Sequence, residues 1–316
     1  MIWGGPVKTR VLWCALFLAC WLTLVLAEPT RTFAIWNLAV QLAIFIPTAC
    51  VPAWRTGWMS YVDFAWPCGL AAVGVQTFLF AEALTPLTLI AGAFYTLVGM
   101  RMSIWGLHLY KPGWLTAELP RYQYQRRRWE RAGFRSERLS VQYEIMVQAM
   151  ANASFLALPA LLISTNSSPR LGAVEYAAIA LGVMACGFES LADLQKRRFL
   201  GGYTTDSREI CDVGLWRHSR HPNYFGQWVQ WVALVTLAAP STMDLHGRTP
   251  LPALLLLSLA LLWVARMMYS TMVHYTGAVP AEYYSVRKRP AYAQYQATVN
   301  RFFPGPRSSE APAPQP

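Results

Sequence analysis

Apolar runs of about twenty residues recur from residue 11 to about residue 275, and they constrain this chain more than any other feature. A bilayer core about 30 Å thick takes ~20 helical residues to cross, and backbone groups inside it must be hydrogen-bonded internally. The qualifying runs cover about 11–27, 33–53, 60–81, 86–109, 143–165, 172–195, 224–239 and 251–275. Eight spanning helices are expected, or seven if Pro47, Pro52 and Pro67 interrupt the second and third runs. The fold class this implies is all-α: a polytopic transmembrane helical bundle. Composition agrees, with 55% hydrophobic and 14% charged residues, where a soluble domain carries about 25% charge. Fourteen tryptophans and fifteen tyrosines suit anchoring at two membrane interfaces. One membrane domain is expected over 1–307, followed by a disordered low-complexity tail, "SSEAPAPQP", at 308–316.

Basic residues set the orientation. The loops after the first, third, fifth and seventh runs hold only Arg31, Arg170 and Arg248. The N-terminus and the alternate loops hold Lys8, Arg10 and Arg55, then eight basic residues in 111–138 and six in 196–220. The tail adds Arg287, Lys288, Arg289, Arg301 and Arg307. By the positive-inside rule both termini are cytoplasmic, in a bacterial inner membrane or an endoplasmic reticulum. The formal charge of +11 then marks a membrane face rather than a nucleic-acid groove. The first run, with its basic start and its end at Val25-Leu26-Ala27, also has the form of a signal peptide. The six cysteines form no Cys-x-x-Cys pair, suggest no metal site and are expected to be buried packing residues.

Charged groups inside spanning helices are costly and normally face a partner or a wet cavity. Here they are Asp63, Arg101, Glu189, Asp193 and Arg266, with His108 and His274 near helix ends. Each maps to the cytoplasmic half of its helix, which suggests a pocket open to the cytosol. Glu189, Asp193, Lys196 and Arg197 share one helical face, as an ion-pair ladder or as a ligand wall. The densest cluster is "GLWRHSRHPNYFGQW", Gly214–Trp228. Pro222 fits a first helical turn and Asn223 a cap, and unpaired N–H groups at such a start attract anions. Arg217 and Arg220 just upstream offer guanidinium forks for phosphate or carboxylate. His218 and His221 lack a nearby carboxylate at metal-site spacing, so no metal is expected.

These motifs, with "YVDFAW", "LADLQK" and "GAVPAEYYSVRKRPAYAQYQATVNRFFPGP", resemble a family of uncharacterised membrane proteins related to the steroid 5-alpha-reductases and, more distantly, to sterol C14-reductases. The resemblance runs from about residue 61 to 304. It implies an NADPH-dependent reductase acting on a carbon–carbon double bond of a steroid-, sterol- or isoprenoid-like substrate. It assigns cofactor contacts to Asp193, Lys196, Arg217, Arg220, His221, Asn223, Tyr224, Gln227, Glu282, Tyr292 and Tyr295. Arg220 would lie near phosphate and Asn223 near the nicotinamide. Asp63 and Trp66 match an early Asp-x-x-Trp on the substrate side, and "ELPRYQ" around Glu118, Arg121 and Tyr122 matches a cytoplasmic loop more loosely. Relatives carry Glu where this chain has Gln227, which keeps hydrogen bonds and loses the charge.

Under that reading the chain's partners are a lipophilic small molecule and membrane lipids, and Tyr61, Asp63 and Tyr95 are alternative proton donors. Two other classes remain open. Isoprenylcysteine carboxyl methyltransferases, which use S-adenosylmethionine, share an Arg-His-Pro-x-Tyr stretch, but tend to carry paired glutamates where this chain has Glu282 alone. A non-catalytic lipid-binding protein could reuse the same fold.

Overall fold

The computed structural model describes residues 7–111, 113, 115–201 and 209–308, so the expected tail lies outside the described residues but for Ser308. Thirteen α-helices appear among them: α1 (Val7–Leu26), α2 (Glu28–Phe45), α3 (Val51–Thr56), α4 (Val62–Phe80), α5 (Pro86–Gly106), α6 (Pro120–Arg131), α7 (Glu137–Ala153), α8 (Leu158–Ser164), α9 (Ala173–Gly201), α10 (Pro222–Ala238), α11 (Leu251–Ser270), α12 (Ala278–Lys288) and α13 (Tyr292–Thr298). The fold is all-helical, as the apolar runs require.

Among the described residues, six helical segments are long and apolar enough to cross a membrane: Glu28–Thr56, Met59–Phe80, Pro86–Tyr110, Glu137–Ser164, Ala173–Gly201 and Leu251–Lys288. The expected seven or eight also counted α1, whose 20 residues suffice for a core about 30 Å thick at ~1.5 Å per residue, and α10, the shorter of the two at 17 residues.

The prolines do not divide the segments as expected. After α2 the chain passes through a π turn, Ile46–Cys50, directly into α3. Pro47 lacks an N–H and crowds the carbonyl four residues back, and the wider turn makes room for it. The fourth segment, Glu137–Ser164, is interrupted instead. Between α7 and α8, Ser154 sits at φ −119°, ψ −95°, and Pro159 opens the new helix. This break frees the last carbonyls of α7 for side-chain partners.

α4 and α5 pack through a stripe of small residues. Gly92, Gly99 and Gly106, spaced by seven, face Phe78, Ala71 with Pro67, and Phe64 in turn. A Cβ on Gly99 would stand 2.4 Å from the Ala71 nitrogen, so the two backbones meet there directly. α1 buries Trp13, Phe17, Cys20 and Leu24 along one face. The Arg10 guanidinium lies 3.5 Å from the centre of the Phe134 ring, and Tyr143 donates to the Arg10 carbonyl at 2.6 Å. Of the cysteines, Cys20 and Cys211 are buried, whereas Cys14 is exposed and departs from the expectation.

The chain separates into two compact units. One comprises Met1–Ala178 with Leu234–Val264, the other Ile179–Ala233 with Ala265–Pro316.

Candidate functional site

All eleven expected cofactor contacts fall in the second unit. Their organising group is Glu282, buried on α12 at 3% exposure. Its carboxylate accepts from Arg220 Nε at 2.7 Å and Nη2 at 3.2 Å. It also accepts from His221 Nε2 at 3.2 Å, Gln296 Nε2 at 3.0 Å and Arg301 Nε at 3.1 Å. A carboxylate out of water needs such a set of donors, and cationic partners above all.

The same geometry changes the expected role of Arg220. Its Nη1 donates to the carbonyls of Gln296, at 2.7 Å, and Val299, while its backbone N–H donates to Asn300 O at 2.9 Å. Arg220 therefore clasps the C-terminal segment to Glu282 and is committed there rather than held out for a phosphate. Ser219 Oγ reinforces the clasp by donating to Phe302 O at 2.9 Å. Phe302 and Phe303 then pack edge-on to Trp228 at 5.9 and 5.8 Å.

His221 stacks on Tyr224 at 5.3 Å. Burial, with the Arg220 and Lys196 charges, outweighs Glu282 and holds its pKa below the usual 6.5. A neutral imidazole then donates a hydrogen bond from Nε2–H to Glu282. Tyr292 and Tyr295 pack edge to face at 5.4 Å, and Tyr295 donates to the Trp216 carbonyl. Burial pushes both phenol pKa values well up, so they remain donors at neutral pH.

α9 and α10 meet through amides and carboxylates. Asn223 Nδ2 donates to Asp193 at 3.2 Å and Gln230 Nε2 to Glu189 at 2.6 Å. Gly226 permits this approach, since a Cβ there would lie 3.0 Å from Glu189. These pairs show Glu189 and Asp193 taking partners across helices, beyond the ladder along α9 that their spacing suggested. Asn223 is not the expected cap: α10 starts at Pro222, which puts Asn223 inside the first turn. Gln227 lies one turn further along, half-buried. The Lys196 ammonium sits over the Trp216 ring at 4.5 Å, and Arg217 is exposed.

Two atoms test whether a dinucleotide suits this set. Asn223 Oδ1 and Arg289 Nε are both buried and have no hydrogen-bond partner among the described residues. The first calls for a donor such as a carboxamide N–H, the second for an acceptor such as a phosphate oxygen. Both demands are of kinds that a dinucleotide can meet. Sequence reasoning missed Arg289, Gln296 and Arg301. Arg301 and Arg289 had been counted only as topological charge.

The expected proton donors Tyr61, Asp63 and Tyr95 belong to the first unit. Tyr95 is 2% exposed and donates to Leu156 O at 2.7 Å, committed to packing. Asp63, in the first turn of α4, accepts from the Arg121 guanidinium and the Tyr122 hydroxyl. Burial and the Asp63 charge push the Tyr122 pKa well up, so the phenol remains a donor. Asp63 is thus a paired acceptor. The hydroxyl of Tyr61 has no hydrogen-bond partner among the described residues; its ring lies 5.4 Å from that of Tyr110. The "ELPRYQ" loop also brings Glu118, which accepts from the N–H groups of Met59 at 2.7 Å and Ser60 at 3.0 Å and from Arg126 at 2.9 Å.

Helices of this length and apolarity, joined by buried charge clasps, define a multi-pass integral membrane protein. The chain belongs to the family described as "Protein of unknown function (DUF1295)", whose model matches residues 51–299. No curated protein and no solved structure matches it. The family places the chain without naming an activity, so no named homologue ties it to the steroid 5-alpha-reductases.

Proposed function

We propose that this protein is a membrane-embedded, NADPH-dependent reductase that saturates a carbon–carbon double bond of a lipophilic substrate. The observation that carries the reading is Asn223. Its amide nitrogen is held by Asp193 while its buried oxygen has no partner, an arrangement suited to one donor of a carboxamide. Arg289, Lys196 and Arg217 supply positive charge for phosphate. Asp193 orients Asn223, His221 stacks against Tyr224, and Glu282 with Arg220 keeps the C-terminal segment in place. Bound NADPH would supply a hydride. A proton must accompany it to the reduced substrate. The basic loops support cytoplasmic termini and cofactor entry from the cytosol.

A fluorescence titration of the detergent-purified protein with NADPH, NADH and S-adenosylmethionine tests the reading. Saturable NADPH binding that weakens at least ~10-fold in Asn223→Ala is expected, equivalent to about 1.4 kcal/mol. Binding of S-adenosylmethionine alone would instead assign a methyltransferase. Silence from all three ligands would leave a lipid-binding protein.

A further inference from the structure

A second polar cluster, made only of amides, lies in the first unit. Asn37 and Gln41 on α2, Gln76 on α4 and Asn152 on α7 are all buried, at 0%, 0%, 4% and 0% exposure. Each belongs to a segment able to cross a membrane. Polar side chains at such depth are costly unless hydrogen-bonded, commonly across helices.

Hydrogen by hydrogen, the cluster is short of donors. Asn37 Nδ2 donates to the carbonyls of Asn152 and Ala153, both at 3.3 Å. Gln41 Nε2 donates to Asn37 Oδ1 at 2.9 Å and Gly69 O at 3.0 Å. Gln76 Nε2 donates to Asn37 Oδ1 at 3.3 Å and Ala72 O at 3.2 Å. Asn152 Nδ2 donates to Gln41 Oε1 at 3.2 Å and Trp66 O at 2.8 Å. All eight amide hydrogens are thereby committed. Gln76 Oε1 and Asn152 Oδ1 remain buried acceptors with no partner. An unmatched buried acceptor carries a full desolvation cost, so the cluster favours a guest that donates.

We propose that the Asn37–Gln41–Gln76–Asn152 cluster is a binding site for hydroxylic guests, whose O–H groups donate to Gln76 Oε1 and Asn152 Oδ1. The guest is neutral, because none of the four side chains carries a charge to balance an ion out of water. Gly69 adjoins the site: a Cβ there would lie 2.1 Å from Gln41 Oε1 and 2.4 Å from Asn152 Nδ2. Enclosed water and the hydroxyl head of a membrane alcohol share the required chemistry.

A density map of the unmodified protein in nanodiscs tests the site. Density within about 3 Å of Gln76 Oε1 and of Asn152 Oδ1 is expected, and a map that resolves other buried waters but none there overturns the proposal. Gln76→Met removes Oε1 together with the Nε2 bonds to Asn37 Oδ1 and Ala72 O, so its own loss of stability does not read the guest. The source is separated with 1-dodecanol and its methyl ether, which lacks the donor. A membrane alcohol as guest predicts that dodecanol alone raises the unfolding midpoint of the unmodified protein, and that this rise is lost in Gln76→Met. Equal responses to the two probes, with density present, assign water.

Discussion

Glu118 in the first unit and Glu282 in the second are both buried carboxylates that hold distant stretches of chain together. They do so with different partners. Glu282 gathers side chains: Arg220, His221, Gln296 and Arg301. Glu118 accepts from two backbone N–H groups, those of Met59 and Ser60 ahead of α4, and from two side chains, the Ser60 hydroxyl and one cation, Arg126. A buried charge held by another charge is exposed to loss of its partner. One held by backbone N–H groups keeps those donors whatever side chains surround it.

Four measurements sharpen that contrast. The largest effect is expected from Glu282→Gln, which strands the buried Arg220 guanidinium. A loss of about 3–5 kcal/mol in denaturant unfolding is expected, with poor recovery of folded protein. Glu118→Gln keeps an acceptor for the backbone donors and lowers stability by about 1–3 kcal/mol in the same assay. A loss equal to that of Glu282→Gln would erase the distinction.

The third measurement is a pH series. His221 titrates below its ordinary value when folded, so as pH falls through about 6.5 the unfolded chain takes up a proton that the folded chain refuses. The stability contributed by neutral His221 is complete above that pH and is lost until the folded pKa is reached. The unfolding midpoint should fall between about pH 7 and pH 5.5, and His221→Gln should flatten the fall. The smallest effect is expected from Arg301→Ala. Its side chain is 44% exposed, and removing it should cost about 0.5 kcal/mol or less. A larger cost would move the weight of the clasp from Arg220 to Arg301.

The same contrast explains what the sequence made legible. Apolar runs announced most of the helices, because a spanning segment must show its length in its composition. Arg220, His221 and Glu282 were singled out through a motif, since a side-chain clasp needs particular residue types. Their mutual pairing was not evident, because 62 residues separate Arg220 from Glu282. Glu118 matched a motif, but its attachment to Met59 and Ser60 leaves no trace, since any residue supplies a backbone N–H. The amide cluster was missed for another reason: attention to charges within the apolar runs passed over Asn37, Gln41, Gln76 and Asn152. The π turn and the break after Ala153 also escaped notice. Proline marks strain in a helix without stating whether the helix widens, as at Pro47, or stops, as before Pro159.

The glycine stripe on α5 places a demand on length as well as on composition. Successive residues turn by about 100° around a helix. One residue inserted between Gly92 and Gly99 would carry Gly99 and Gly106 away from α4 and bring side chains against the Ala71 backbone. Seven added residues would make nearly two full turns and restore the facing. Evolution along this hairpin is therefore free to trade many lipid-facing side chains, yet its single-residue insertions and deletions are confined to the ends of the stripe.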